Sequence, residues 1–139
     1  MATERPRHDL LGRSPLALDL PAHVASPGLA RAWLNTIADT TALPDELVSD
    51  ATLVLSELVT NAVIHAATDV HVYIELHDAN GIHLEVGDAT HAVPQVLPAA
   101  PEREGGVGMR IVERLAAAWG VRQVGAGKVV WADLAVVAA

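Results

Sequence analysis

Three polar side chains recur at intervals of four residues inside an otherwise aliphatic stretch. The stretch is SELVTNAVIHA at 56–66, and the three residues are Glu57, Asn61 and His65. Four residues make about one helical turn, so these side chains line one side of a helix. At about 100° per residue, Glu57 and Asn61 lie on the flank of the apolar stripe, where an unbonded polar group costs roughly 1–3 kcal/mol. A hydrated Mg²⁺ would bond both side chains, which makes metal-assisted chemistry the first hypothesis.

Two further features could join this pair in a site. Asp88 is in phase with the apolar face of IHLEVGD, at 82–88, so its carboxylate emerges on the core side at the strand end. The glycines of GGVG, at 105–108, precede a helix whose free backbone N–H groups can reach phosphate oxygens. Taken singly, the polar pair is usually the solvated edge of an amphipathic helix, the aspartate a strand-end residue, and the glycines a turn. Their order along the chain, with a long loop before the glycines, favours a pocket that binds a phosphate and an amine.

The composition indicates one globular domain. The chain has 139 residues, 51% of them hydrophobic, and a net charge of −8, and this length carries one core. The acidity argues against direct nucleic-acid binding, which needs clustered Lys and Arg. The absence of cysteine excludes disulfides, thiolate catalysis and Cys-based zinc sites. No apolar run reaches the ~18 uncharged residues of a membrane span, and the polar N-terminus lacks the apolar middle of a signal peptide, so we expect a cytoplasmic protein with no membrane contact.

Hydrophobic periodicity predicts the element order β-α-α-β-β-loop-α-β-β. Ser26 is predicted as the N-cap of the first helix, with Pro27 at its first position. The order implies an α+β fold, a two-layer sandwich with helices on one face of a mostly antiparallel sheet. We expect residues 1–15 to form a flexible tail and residues 16–139 to form a single domain. The predicted elements are a strand at 16–20, helices from Pro27 to about Thr40 and from Asp45 to about Ala66, a hairpin at 70–76 and 82–88, a loop at 89–104, a helix from GGVGM, and a second hairpin of GVRQV and KVVWADL.

The outward face of the first hairpin is polar. It carries several histidines, but no spacing such as H-E-x-x-H supports a zinc site. We therefore predict a solvated face. Its members are His71, Tyr73, Glu75, His77, His83 and Glu85.

At the residues that could do chemistry, the sequence resembles a known family. LSELVTNAVIHA resembles the N-box of the GHKL (Bergerat-fold) ATPases, LEVGDAT their first glycine box, and GGVGMRIVERLA their second. Within that superfamily the chain is most similar to the anti-sigma-factor serine/threonine kinases, and among these to small actinobacterial ATP-binding regulators. The resemblance spans about residues 16–134. It implies the Bergerat fold, with ATP and Mg²⁺ as cofactors.

The resemblance also implies roles for single residues. Glu57 matches the proposed general base, Asn61 the Mg²⁺ ligand, and Asp88 the aspartate that recognises the adenine amine, while residues 89–105 match the ATP lid. Such an enzyme transfers the γ-phosphoryl group of ATP to a serine or threonine of an anti-sigma antagonist protein. It also binds a sigma factor, and a homodimer is consistent with the family. The implied nucleotide-binding residues are Asn61, Asp88, Gly106, Val107, Gly108 and Met109.

Two departures from the family pattern leave an alternative open. Asp88 is followed by Ala-Thr-His-Ala instead of the pattern D-x-G-x-G, and Val129 replaces a threonine common near adenine. The alternative is a non-catalytic Bergerat-fold interaction module with weakened or lost nucleotide binding. A histidine-kinase fragment is disfavoured, because the residues before the domain contain no dimerising hairpin with a phospho-acceptor histidine. A P-loop is absent, because Val129 follows Gly127 and Lys128 where Ser or Thr is needed.

Overall fold

The computed structural model describes residues 16–77, 80–90 and 107–136. The expected tail at 1–15, and all of the expected loop and lid beyond Thr90, lie outside these described residues. Within them, helices and strands follow the predicted order, and the α+β class is confirmed. The elements are β1 (Leu16–Leu20), α1 (Ser26–Ala38), α2 (Asp45–Asn61), a π-helical turn (Ala62–Ala66), β2 (Val70–His77), β3 (Gly81–Asp88), α3 (Val107–Leu115), β4 (Ala118–Val124) and β5 (Gly127–Ala135).

The five strands form one antiparallel sheet in the order β1-β2-β3-β5-β4. β2 and β3 form the predicted first hairpin, in which Val72 is opposite Val86. β4 and β5 form the second hairpin, and β5 is the strand that pairs with β3. As a result, Asp88 at the end of β3 is the register partner of Lys128 at the start of β5.

The helices cover one face of the sheet. The apolar residues that alternate along β2 and β3 are buried, and the predicted stripe of α2 is buried opposite them. α2 is the central helix, because it packs on α1, α3, β3 and β5. Each fully buried Leu, Ile or Val contributes roughly 1.5–3 kcal/mol to folding. The largest fully buried side chains are Leu34, Leu55, Ile74, Ile82, Leu84 and Met109, with Val54, Val59, Val70, Val72, Val86 and Val112.

The start of α1 differs from the sequence prediction. Ser26 is the first helical residue and Ala25 is the N-cap, so the prediction of Ser26 as N-cap is wrong. The Ser26 hydroxyl donates instead to the carbonyl oxygen of Pro21 at 2.7 Å, and the side chain is buried. This bond ties the helix to the segment leaving β1 through a side chain-to-backbone contact five residues back, which competes with the capping bond. The helix ends at Ala38, two residues before the predicted Thr40.

The helical stretch from Asp45 to Ala66 satisfies the length and composition of a membrane span. Its buried stripe nevertheless packs on the sheet, as in the core helix of a globular domain, and core helices of this kind pass the same test. Asp45 and Glu46 lie in its first turn, where carboxylates complement the positive end of the helix dipole.

The outer face of the sheet carries an ion-pair network that the prediction of a solvated face missed. His83 Nδ1 lies 2.5 Å from Asp133 Oδ1, and its Nε2 lies 2.7 Å from Glu85 Oε2. Arg122 donates to Glu85 Oε1 at 3.1 Å. The Trp131 ring stacks on His83 with centroids 6.2 Å apart. These five residues, the outer-face network, join β3, β4 and β5.

The two carboxylates of the network hold His83 in its charged form. Burial lowers the pKa of the imidazole, but the hydrogen bonds and charges of Asp133 and Glu85 outweigh it and raise the pKa to about 9. Burial also raises the pKa of Glu85, and the bonds to His83 and the charge of Arg122 reverse that effect to a net lowering. At neutral pH, His83 is therefore protonated.

We expect the free energy of unfolding to fall as the pH rises through about 9. Protonated His83 stabilises the folded state fully below its ordinary pKa of 6.5, and this contribution is lost as the pH rises through the folded-state pKa of about 9. Urea unfolding between about pH 6 and about pH 10 measures the fall. The substitution His83→Gln should reduce this fall in the free energy of unfolding with pH. An unchanged pH profile in the His83 variant would contradict this assignment.

Candidate functional site

Glu57 and Asn61 lie on the last turns of α2, where the sequence placed them. Their neighbours Val54 and Leu58 are buried, whereas Glu57 and Asn61 are half-buried on the flank of the stripe. His65, one turn further on, is exposed within the π-helical turn and does not share this flank. The two half-buried groups therefore form the polar pair, and the histidine stands apart from it.

The carboxylate of Glu57 packs directly against Gly108, in the first turn of α3. A Cβ added at Gly108 would overlap Glu57 Oε1 and would lie 3.3 Å from its Cδ. With no side chain at Gly108, the Glu57 carboxylate occupies the space beside α3 that a Cβ would fill. This contact brings the acid to the N-terminal end of α3, where the first backbone N–H groups have no partner within the helix and the helix dipole is positive.

The other predicted residues of the second glycine box separate into three cases. Met109 is buried, with 1% of its surface exposed, and packs in the core between α3 and the sheet. Val107 begins α3, so its backbone lies at the helix N-terminus beside Gly108. Gly106 lies outside the described residues. A role for these residues in nucleotide binding stays a prediction.

The protein environment stabilises the protonated carboxyl group of Glu57 relative to the same group in water. Burial raises the pKa of the carboxyl group, and the charge of Arg31 on α1 partly offsets this. Arg31 is held by a bond from its Nη1 to Ser56 Oγ at 2.7 Å. A carboxylate with a raised pKa accepts a proton more readily, which is the property that a general base needs.

Asn61 presents an amide group with capacity to bind a ligand. Its half-buried side chain makes no hydrogen bond to another described residue. α2 ends at this residue, and a π-helical turn follows, a local widening often found at functional sites. Among residues 16–77, 80–90 and 107–136, no group of three or more His, Cys, Asp or Glu could hold a metal by itself. An amide oxygen fits Mg²⁺, which completes its shell with water and phosphate oxygens.

Asp88 ends β3 in phase with its core-facing residues, and its carboxylate accepts three hydrogen bonds. Lys128 Nζ lies 2.8 Å from Oδ2 and 3.0 Å from Oδ1. The backbone N–H of Thr90 donates to Oδ1 at 2.9 Å. The side chains of Asp88 and Lys128 are only 2% and 6% exposed. We refer to these two residues as the Asp88–Lys128 pair.

Gly127 allows the two strand ends to approach each other. A Cβ at this position would overlap the carbonyl oxygen of Asp88 and lie 3.0 Å from the Cα of Ala89. The missing side chain of Gly127 therefore lets β5 begin directly beside the end of β3, which places Lys128 opposite Asp88.

The sequence prediction singled out Val129 near the base and missed Lys128. A signal for Lys128 was present, because it is in phase with the core-facing residues Val130 and Ala132 of β5. A lone cation in that alternation needs a buried anion as partner. Nothing in the sequence indicated that β5, and not β4, would pair with β3.

α2 connects the two parts of the candidate site. It contacts α3 on one side and both β3 and β5 on the other. Asp88 and Lys128 are in phase with the buried residues of β3 and β5, the two strands that α2 contacts. The candidate residues are an acid whose pKa is raised by burial, an amide, a helix N-terminus and a buried ion pair, which are groups suited to binding a polyphosphate and a polar base.

The sequence matches the histidine kinase-like ATPase domain over residues 20–134, a range that contains every described element of the site. The chain belongs to the histidine kinase-like ATPase family. The prediction of a GHKL ATPase is thereby confirmed. No curated protein matches the sequence closely.

A solved structure shows the same fold. The RsbU and RsbW domains of Rv1364c from Mycobacterium tuberculosis superpose with a TM-score of 0.67 at 21% sequence identity. The match covers 87% of this histidine kinase-like ATPase chain and 32% of that chain. At this identity the similarity establishes the architecture, a helix-covered antiparallel sheet, and confirms the predicted Bergerat fold.

Proposed function

We propose that this histidine kinase-like ATPase is an ATP- and Mg²⁺-dependent serine/threonine protein kinase of the anti-sigma-factor type. The observation that carries the proposal is the contact of Glu57 with Gly108, which brings a proton acceptor with a raised pKa to the N-terminus of α3. A proton acceptor beside a phosphate-binding helix end is the arrangement that phosphoryl transfer to a hydroxyl requires.

In this proposal each residue has a separate task. Backbone N–H groups at Val107, Gly108 and Met109 hold the phosphate oxygens, with Gly106 before them. Asn61 supplies an amide oxygen to Mg²⁺, which, when bound, neutralises charge on the triphosphate. Glu57 accepts the proton of the serine or threonine hydroxyl as its oxygen attacks the γ-phosphorus and ADP leaves. Asp88 reads the purine base.

The proposed partners follow from the family resemblance. The acceptor hydroxyl belongs to an anti-sigma antagonist protein, and a sigma factor is the second protein partner, so that the chain regulates transcription without contacting nucleic acid itself. The net charge of −8 suits a partner with a basic surface. We place the activity in the cytoplasm and expect a homodimer.

Nucleotide binding tests the proposal most directly. Titration of the full chain with a fluorescent ATP analogue should show saturable binding below about 1 mM, tighter with Mg²⁺ than with chelator. Asn61→Ala should weaken binding about tenfold and remove the Mg²⁺ dependence, since it removes the proposed metal ligand. Asn35→Ala, at an exposed asparagine of α1, is the matched control and should change neither. A folded sample that shows no saturation up to millimolar ATP would overturn the nucleotide function.

One observation favours the alternative of a non-catalytic interaction module. Asp88, the proposed base-reading residue, already accepts bonds from Lys128 and from the Thr90 N–H. A module of this kind would bind its protein partner equally well with and without ATP. The two functions are therefore separated by measuring partner binding and phosphate transfer in the same sample.

A further inference from the structure

The Asp88–Lys128 pair is an unusual base-reading element, because it contains a cation as well as an acid. The ammonium group contacts both carboxylate oxygens, and both side chains are almost inaccessible to solvent. Lys128 is also the single lysine of the chain. Placing a lysine among the core-facing residues of a strand costs the desolvation free energy of its ammonium group, which a surface lysine does not lose. This cost suggests that the position of Lys128 has a function.

A count of donors and acceptors shows what the pair can still bind. A carboxylate has about four lone-pair sites, and Lys128 and the Thr90 N–H occupy three on Asp88. An ammonium group has three protons, of which two point to Asp88. By this count the pair retains one acceptor site and one donor. A ligand edge with one donor next to one acceptor matches it without breaking the ion pair.

Purine bases present such an edge. In adenine the 6-amino group donates and ring nitrogen N1 accepts. In guanine the 6-oxo group accepts and N1–H donates. A carboxylate alone repels the 6-oxo group and so selects adenine. A carboxylate beside an ammonium group has a partner for either edge, in reversed order.

We propose that Lys128 is a specificity-determining residue of the nucleotide site: it pairs with Asp88 to read the purine edge and makes the site accept 6-oxo purine nucleotides such as GTP as well as ATP. This inference rests on the proposed nucleotide-binding function. In the ATP complex the Lys128 ammonium donates to N1 while Asp88 accepts from the 6-amino group. In the GTP complex Lys128 donates to the 6-oxygen and Asp88 accepts from N1–H.

Competition between ATP and GTP for the full-length chain tests the proposal. The wild-type dissociation constants for the two Mg²⁺–nucleotides should agree within about tenfold. Lys128→Met removes the donor but keeps the length of the side chain, and should weaken GTP relative to ATP by about tenfold or more. The ratio is measured within one sample, so a smaller folded fraction cancels. Arg122→Met, the removal of a cation from the neighbouring strand, is the control and should leave the ratio unchanged.

The single lysine provides a second readout that does not depend on a variant. Selective ¹⁵N-lysine labelling gives one ε-ammonium resonance in NMR spectra, that of Lys128. Both ADP and GDP should shift this resonance, whereas inorganic triphosphate, which lacks a base, should leave it in place.

The possible outcomes separate this inference from the proposed function. Binding of neither nucleotide overturns both. ATP binding with more than about a hundredfold preference over GTP, or an ATP to GTP ratio that Lys128→Met leaves unchanged, overturns the role of Lys128 and leaves the proposed function standing. If the Asp88–Lys128 pair were purely structural, Lys128→Met would lower stability but would leave the ATP to GTP ratio unchanged.

Discussion

Replacing Glu57 with glutamine is expected to lower phosphate transfer at least about a hundredfold while leaving ATP binding nearly unchanged. The carboxamide has almost the same shape and keeps the packing against Gly108, but it cannot accept a proton, and general base catalysis contributes about 10²–10⁴-fold. Transfer of labelled phosphate from ATP to a candidate antagonist protein measures the rate, and a parallel nucleotide titration measures binding.

The phosphate-transfer assay also has a matched control variant, and the transfer rate is expected to depend on pH. Glu46→Gln lies in the exposed first turn of the same helix and should not change the rate. Because burial raises the pKa of Glu57, the wild-type rate should increase with pH through that raised pKa, as the carboxyl group becomes the base. A Glu57→Gln protein that keeps more than about a tenth of the wild-type rate would exclude Glu57 as the base.

Replacing Lys128 with methionine is expected to lower the free energy of unfolding by about 3–5 kcal/mol. The substitution removes one member of a buried ion pair and leaves the Asp88 carboxylate, 2% exposed, without its cation. The double variant Asp88→Asn/Lys128→Met should recover much of the loss, because it removes both charges. Urea unfolding of the wild type, both single variants and the double variant gives the coupling between the two residues.

A partly exposed ion pair provides the comparison for this stability effect. Arg122→Met breaks the pair with Glu85, in which the arginine side chain is 39% and the glutamate side chain 13% exposed, and should cost about 1 kcal/mol, less than the loss of Lys128. A Lys128→Met protein as stable as the Arg122 variant would show that the Asp88–Lys128 pair is not buried in solution. The stability result is independent of base preference, so it holds whichever nucleotide the site accepts.

The expected effects of replacing Glu57 and Lys128 both depend on contacts between residues that are distant in sequence. Glu57 meets Gly108 only because α3 packs on α2, and Asp88 meets Lys128, 40 positions later, only because β5 pairs with β3. The outer-face network likewise joins His83 to Asp133 across 50 positions. Contacts of this kind depend on strand order and helix packing, which local residue patterns do not encode.

The start of α1 also differs from the local prediction, in this case because of a short-range contact. Ser before Pro is a good local signal for an N-cap, yet Ser26 lies inside the helix and bonds to Pro21. A hydrogen bond to Pro21, five residues earlier and just after β1, replaced the capping bond. Capping preferences amount to about 1 kcal/mol, so one competing contact is enough to shift a helix start by a residue.

The sequence by itself determined the elements, the two hairpins, the α+β class and the half-buried flank that carries Glu57 and Asn61. These features follow from periods of 3.6 and 2 residues and from turn residues, which act over a few neighbours. Only the tertiary contacts show that Asp88 has a lysine partner, that Glu57 lies against a glycine at the N-terminus of α3, and that the outer face holds a charged histidine. The physical reason is burial: a charge or a close backbone approach acquires its partner only when distant strands and helices exclude water around it.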